Sequence, residues 1–120
     1  MARILLADDD AATRDLVRRA LEADGHSVHV TQDGSEALEC VEGAGAKQFD
    51  VLVSDVEMPL LDGVALAQRA LLQPRLRVLL MSGFAEQLER AKALKGSHIA
   101  VISKPFTLEE VRSSVRKLLA

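Results

Sequence analysis

Five short β-type runs alternate with helical stretches along the chain, and this alternation constrains the fold more than any other feature. The runs cover residues 3–7, 27–31, 51–54, 77–81 and 99–103. The first, third and fourth are apolar nearly throughout, which is typical of strands that a parallel sheet buries on both faces. The second alternates polar and apolar residues, which favours a sheet edge. The pattern predicts an α/β fold with a doubly wound, five-stranded parallel sheet.

Helical periodicity fills the intervals between these runs. The predicted helices cover residues 11–23, 35–42, 86–95 and 107–120, with a further helix that follows Asp62-Gly63 and ends before Pro74. The helix over residues 86–95 has the thinnest apolar stripe, so we expect little burial to hold it in place. Thr107 and Glu110 form a T-x-x-E capping box at the start of the last helix. No linker or repeat interrupts the pattern, which predicts a single domain over residues 1–120.

Charge and hydropathy exclude two classes of protein. The formal net charge of −3 gives no electrostatic reason to bind nucleic acid or an anionic membrane. The longest apolar runs, such as residues 78–81, are far shorter than the roughly 18 residues of a membrane span. No signal or transit pattern precedes the first run, so we expect a cytoplasmic protein. The single cysteine, Cys40, cannot form an internal disulfide and is expected to be buried or half-buried.

Polar or charged groups follow four of the five predicted strands. They are Asp8-Asp9-Asp10, Asp55, Ser82-Gly83 and Ser103-Lys104-Pro105. The ligand site of an open parallel sheet lies beyond the carboxyl ends of its strands, so we expect these groups to converge there. The strand without such a group is the presumed edge strand, and a strand order of 2-1-3-4-5 makes the other four adjacent.

The predicted cluster has the composition of a site for a divalent cation and a phosphoryl group. Converging carboxylates repel one another unless a cation neutralises them, and carboxylates with a backbone carbonyl and waters suit Mg²⁺. Lys104 adds a fixed positive charge, while the Ser82 hydroxyl and the Gly83 amide add neutral donors. Asp55 is the best candidate for a nucleophile that attacks phosphorus, because it is the central carboxylate. Asp62 lies in a turn that favours Asp for backbone reasons alone.

Four motifs, in order and at the usual spacings, resemble those of the receiver domain of two-component response regulators. They are ILLADD at residues 4–9, SD at 54–55 with MP at 58–59 and DG at 62–63, MSG at 81–83, and KPF at 104–106. The resemblance implies a flavodoxin-like (βα)5 fold, and the chain looks like a stand-alone receiver. It also implies that a histidine kinase or a histidine phosphotransfer protein phosphorylates Asp55. Mg²⁺ would be held by Asp9, Asp55 and the backbone carbonyl of Glu57, with Asp8 supporting the metal through water.

The same resemblance assigns a switching role to residues on the last two strands. Ser82 would sense the phosphoryl group and Lys104 would pair with it, the Lys104-Pro105 bond being cis. The position three before Lys104 is usually aromatic in the family and is Val101 here, a small side chain that cannot sweep a surface. We therefore expect the weakly held segment of residues 83–95 to be the bistable element. A downstream protein would bind the face formed by the fourth helix, the fifth strand and the fifth helix.

Other functions share much of this chemistry. The chain could be a phosphorelay intermediate or the receiver module of a hybrid histidine kinase, since both use the same acyl phosphate. A small aspartyl-phosphate phosphatase of the haloacid dehalogenase type is the alternative enzyme, because Asp55-Val56-Glu57 loosely mimics its D-x-D motif. The missing second Asp and the lack of an insertion for a substrate cap argue against it. We expect no enzymatic activity beyond the protein's own phosphorylation and slow dephosphorylation.

Overall fold

Five parallel strands form one sheet, in the order β2-β1-β3-β4-β5. The computed structural model describes residues 2–43, 49–94 and 96–120. The strands are β1 (Arg3–Ala7), β2 (Ser27–Thr31), β3 (Val51–Asp55), β4 (Arg77–Ser82) and β5 (Ile99–Ser103). Every predicted strand is present, and β3 and β4 each extend one residue further than predicted, to Asp55 and Ser82. The predicted order and the edge position of β2 are confirmed.

Each strand is followed by a helix. The helices are α1 (Ala11–Ala23), α2 (Gly34–Glu42), α3 (Gly63–Ala70), α4 (Ala85–Lys92) and α5 (Leu108–Leu119). The third ends well before Pro74, because the amides of Leu72 and Gln73 bond three residues back and tighten the chain into a turn. The fourth begins one residue earlier than predicted and ends at Lys92. The last predicted residue of that helix, Lys95, lies outside the described residues.

Helices cover the sheet on both faces. The residues of β1, β3 and β4 alternate between two apolar clusters, because successive side chains of a strand point to opposite faces. One cluster includes Leu5, Leu52 and Leu80 and packs against α2, α3 and α4. The other lies against α1 and α5 and includes Val17 and Val115. All five residues of β3 are buried, so the central strand holds its terminal carboxylate in a fixed place.

Four of the described helices begin with a side-chain cap. Asp10, Asp33, Asp62 and Thr107 each accept a hydrogen bond from an amide in the first turn of the following helix. The predicted capping box of Thr107 is confirmed. The exception among the described helices is α4, whose first turn follows Phe84 without a side-chain cap and which buries only Ala91. The expectation that little burial holds this helix is therefore confirmed.

Candidate functional site

The parallel register brings the carboxyl ends of four strands to one edge of the sheet. Asp55 ends β3 and Ser82 ends β4, with Asp55 paired to Met81 and Ser82 to Ser103. Asp8 and Asp9 follow directly after β1, and Lys104 follows directly after β5. The predicted convergence is therefore present, and the strand that contributes nothing to it is β2, at the edge of the sheet opposite β5.

Three carboxylates meet at this edge. One oxygen from each of Asp8, Asp9 and Asp55 lies within 4.8 Å of the others, and this is the only such group of potential metal ligands among residues 2–43, 49–94 and 96–120. Asp8 is fully buried, Asp55 is 6% exposed, and Asp9 is exposed. The site is therefore a pocket with two buried acids beneath one that contacts solvent.

Burial perturbs the two inner acids. Removal from water raises the pKa of Asp8 to about 6, although a hydrogen bond from the Asp10 amide favours the charged form. Burial also raises the pKa of Asp55, against the opposing effect of Lys104. The Nζ atom of Lys104 lies 3.1 Å from Oδ2 of Asp55. Oδ1 of Asp8 accepts the Asp10 amide at 2.9 Å, whereas its Oδ2 is buried without a hydrogen-bond partner in the described part of the chain.

These observations fit a hard divalent cation. A cation at this place would neutralise the mutual repulsion of the three carboxylates and satisfy the unpaired oxygen of Asp8. The donors are all oxygens, which Mg²⁺ and Ca²⁺ prefer over nitrogen or sulfur ligands. His26, His29 and His98 are not part of the cluster.

The backbone around Asp55 is held by a close approach. A Cβ atom on Gly63 would lie 2.2 Å from the carbonyl oxygen of Asp55, so only glycine fits beside this strand end. The Gly63 amide donates to the carbonyl of Val56 at 2.7 Å, and the Val56 amide donates to the carbonyl of Met81 at 3.0 Å. The first turn of α3 and the end of β4 therefore fix the backbone that carries Asp55.

Ser82 and Lys104 are tied together through the backbone. The Lys104 amide donates to the Ser82 carbonyl at 2.7 Å, which aligns the ends of β4 and β5. The Ser82 side chain is buried, and its hydroxyl donates to the carbonyl of Phe84 at 3.2 Å. The Lys104-Pro105 peptide bond is cis, as the resemblance implied. The hydroxyl thus lies between the strand end and the start of α4.

The side chains of Glu57 and Val101 are not part of the carboxylate cluster. Glu57 follows β3 with an exposed side chain, and Val101 pairs with Leu80 in the sheet and packs against the cluster of α2, α3 and α4. Asp62, which was expected to serve the backbone of its turn alone, caps α3 and in addition accepts a hydrogen bond from Arg90 at 2.7 Å. Cys40 is half-buried, as predicted.

Two residues that the sequence did not single out, Arg14 and Gln87, make contacts at the site. Arg14 donates to the carbonyl of Asp8 at 2.9 Å and so ties α1 to the end of β1. Gln87 donates to the carboxylate of Glu57 at 2.8 Å and accepts from the Gly83 amide at 3.4 Å. Gln87 is the third residue of α4, and a glutamine at that position can reach back to a backbone amide at the helix start, which was the available signal.

Comparison with known proteins agrees with this geometry. Residues 4–116 match the family described as the response regulator receiver domain. The chain is 37% identical over 118 residues to the response regulator MprA of Mycolicibacterium vanbaalenii, covering 98% of this chain and 50% of that protein. It is 34% identical over 119 residues to the sensor kinase CckA of Brucella abortus, covering 98% of this chain and 12% of that protein.

Solved structures agree as well. The chemotaxis response regulator CheY4 of Vibrio cholerae superposes with a TM-score of 0.82 at 28% identity, covering 98% of each chain. The chain spans about half the length, or less, of the curated relatives named above. Within the described residues, no helix is long and apolar enough to span a bilayer. The family match over residues 4–116, together with the acidic pocket at the strand ends, shows that this chain belongs to the response regulator receiver domains of two-component systems.

Proposed function

We propose that the protein is a phosphorylation-controlled switch in which Asp55 accepts a phosphoryl group from a histidine kinase or a histidine phosphotransfer protein. The observation that carries the proposal is the place of the Asp55 carboxylate. It lies within 4.8 Å of Asp8 and Asp9 and 3.1 Å from Lys104. Asp8 and Lys104 are placed to assist at the site, but of the three acids only Asp55 forms an ion pair with the lysine and ends the central strand of the sheet.

The proposed reaction is a transfer between two side chains. A carboxylate oxygen of Asp55 attacks the phosphorus of a phosphohistidine, the oxygen–phosphorus bond forms, and the phosphorus–nitrogen bond breaks with its electron pair going to the imidazole nitrogen. Lys104 pairs with the anionic oxygens of the transferred group, and the Ser82 hydroxyl is the nearby neutral donor. Asp9, Asp55 and the Glu57 carbonyl, with Asp8 assisting through water, would hold Mg²⁺, which would neutralise charge on the phosphoryl oxygens. Because Asp55 is itself the acceptor, we expect no activity beyond the protein's own phosphorylation and slow dephosphorylation.

The phosphodonor has an apolar surface to dock on beside the site. A groove of about 300 Å³ opens next to Lys104, between the first half of α1 and the start of α5. Leu16 and Leu108 line it and are 52% and 37% exposed. A helix of the donor that packs here would bring its phosphohistidine towards the strand ends, since the groove shares Lys104 with the pocket.

The output is proposed to leave through the face formed by α4, β5 and α5. The segment of residues 83–94 follows Ser82 directly and buries only Ala91 within its helix. Phe84, whose carbonyl accepts the Ser82 hydroxyl, is 65% exposed. A change in the direction of that hydroxyl would therefore alter the start of the least buried helix. Val101 is partly buried and too small to carry the signal by swinging outward.

A second role rests on the likeness to the sensor kinase CckA. In that role the same acyl phosphate forms within a hybrid kinase, or passes on to a histidine protein in a phosphorelay. The chemistry at Asp55 is identical, so the two roles differ only in what happens next. Transfer of label from the phosphorylated protein to a histidine phosphotransfer protein would favour the relay role over the switch.

The test of the proposal is phosphorylation by a small donor. Wild type, Asp55→Asn and Asp62→Asn are incubated with labelled acetyl phosphate and Mg²⁺, and bound label is measured before and after treatment with hydroxylamine, which cleaves acyl phosphates. We expect label on wild type and on Asp62→Asn, since asparagine also caps a helix, and none on Asp55→Asn. Label that persists on Asp55→Asn, or that requires Asp62, would refute the assignment.

A further inference from the structure

A fourth carboxylate lies close to the acidic pocket in the chain and is held outside it. Glu57 follows Asp55 by two residues, yet its carboxylate does not belong to the cluster of Asp8, Asp9 and Asp55. Its Oε2 atom accepts a hydrogen bond of 2.8 Å from Nε2 of Gln87. The contact crosses from the loop after β3 to the first turn of α4.

The side chain of Gln87 makes hydrogen bonds through both ends of its amide. Its nitrogen donates to Glu57, and its oxygen accepts from the Gly83 amide in the loop before the helix. A side-chain amide supplies the one donor and the one acceptor that this arrangement uses. A glutamate at this position could not donate to Glu57, and a lysine would neutralise it. These two hydrogen bonds of Gln87, to Glu57 and from Gly83, are called the clasp below. The clasp holds the Glu57 carboxylate through an uncharged group.

The location of this clasp matters because of charge. The pocket already gathers three carboxylates against one lysine, and the incoming phosphoryl group is itself an anion. A further carboxylate in the pocket would attract a divalent cation more strongly but would repel the phosphodonor. The hydrogen bond to Gln87 holds the Glu57 carboxylate at α4, where it neither strengthens cation binding nor repels the phosphodonor.

We infer that Gln87 is a positioning residue for the acidic site, holding the Glu57 carboxylate away from the cation and from the entering phosphoryl group. The inference rests on the proposed function for its meaning, since it concerns the charge that the phosphodonor meets. Loss of the clasp frees Glu57 to turn towards the pocket. The expected size is about threefold to tenfold, the range that corresponds to one hydrogen bond.

The test compares Gln87→Ala, Glu57→Gln and the double variant with wild type, all as the full chain. Two quantities are measured: the Mg²⁺ dissociation constant by calorimetric titration of the unphosphorylated protein, and the rate of phosphorylation by acetyl phosphate at saturating Mg²⁺. We expect Gln87→Ala to bind Mg²⁺ more tightly and to be phosphorylated more slowly, each by about threefold to tenfold. Adding Gln87→Ala to Glu57→Gln should change neither quantity.

The matched pair of backgrounds separates positioning from a structural role. If Gln87→Ala has the same effect in the Glu57→Gln background as in wild type, the residue acts only by supporting α4 and the inference is wrong. Equal Mg²⁺ affinities for Gln87→Ala and wild type would also overturn it. Failure of the proposed function looks different: wild type would bind Mg²⁺ without accepting label, and the Mg²⁺ titrations would still decide the role of Gln87.

Discussion

Replacing Asp8 by asparagine should stabilise the metal-free protein at neutral pH. Asp8 is fully buried, and one of its oxygens has no hydrogen-bond partner in the described residues. It also faces the charges of Asp55 and Asp9, both of which disfavour its ionised form. Asp8→Asn keeps the shape and an acceptor for the Asp10 amide but removes the buried charge. The substitution should therefore relieve a penalty that the folded protein carries only when Asp8 is ionised.

The size of the effect follows from the pKa. Burial raises the pKa of Asp8 from 3.8 to about 6, which corresponds to about 3 kcal/mol of differential interaction between the two protonation states. Because the folded pKa lies above the unfolded one, the folded state binds more protons. The free energy of unfolding therefore falls as the pH rises from about 4 to about 6 and stays low above that range. We expect Asp8→Asn to raise the free energy of unfolding by about 1–3 kcal/mol at pH 7.5. The gain is smaller than the full 3 kcal/mol because the neutral amide accepts the Asp10 hydrogen bond less strongly than the carboxylate does.

The measurement is urea unfolding in EDTA at several pH values between 4 and 8. Asp15→Asn is the matched control, because it makes the same change in net charge at a partly exposed site where a hydrogen bond from Arg18 lowers the pKa of the carboxyl group. Only Asp8→Asn should be stabilised, and its advantage should vanish near pH 4. Added Mg²⁺ should narrow the gap by stabilising wild type through binding. A variant no more stable than wild type at pH 7.5, or a gain that persists unchanged at pH 4, would refute the reasoning.

Two further substitutions test the backbone packing beside Asp55 and the groove next to Lys104. Gly63→Ala should destabilise the fold by about 1–3 kcal/mol, net of the roughly 1 kcal/mol that alanine gains over glycine in a helix, because the new Cβ would lie 2.2 Å from the Asp55 carbonyl. Thermal unfolding measures the loss of stability. An unchanged midpoint would show that the backbone around Asp55 moves to make room for the new Cβ at no cost. Leu16→Glu should slow phosphorylation by a kinase at least tenfold while leaving acetyl phosphate labelling unchanged, since about 1.4 kcal/mol of docking energy is a factor of ten. Leu72→Glu, at another exposed leucine that does not line the groove, is its control, and equal effects of the two substitutions would remove the groove from the donor interface.

The sequence predicts the sheet closely because burial on both faces leaves a clear signal. In β3 and β4 the apolar runs match the observed strands to within one residue, since almost every position faces one of the two clusters. The ends of α3 and α4 were predicted less well. Their last turns are decided by local hydrogen bonds to carbonyls three residues back, and no apolar pattern records such bonds.

The site divides in the same way. The meeting of Asp8, Asp9, Asp55 and Lys104 follows from strand order, because parallel strands end at one edge. The clasp of Gln87 on Glu57 does not follow from it. That contact depends on the distance between α4 and the loop after β3 and on the conformations of two side chains. Neither the distance nor the conformations leave a periodic pattern of residues in the sequence. The same holds for Arg14, which reaches the Asp8 carbonyl from α1.

The distribution of burial decides which part of the structure can change when a charge is added to Asp55. The strands that end in Asp55 and Ser82 are buried along nearly their whole length, and close-packed interiors resist small displacements. By contrast, α4 buries one residue and has no side-chain cap. It contacts the site through the Ser82 hydroxyl at Phe84 and through Gln87. A phosphoryl group that draws the hydroxyl or the Gly83 amide towards itself therefore removes contacts from this helix. The helix with the least burial, α4, is thus also hydrogen-bonded to residues of the site. A charge added at the site can therefore change the conformation of this exposed helix.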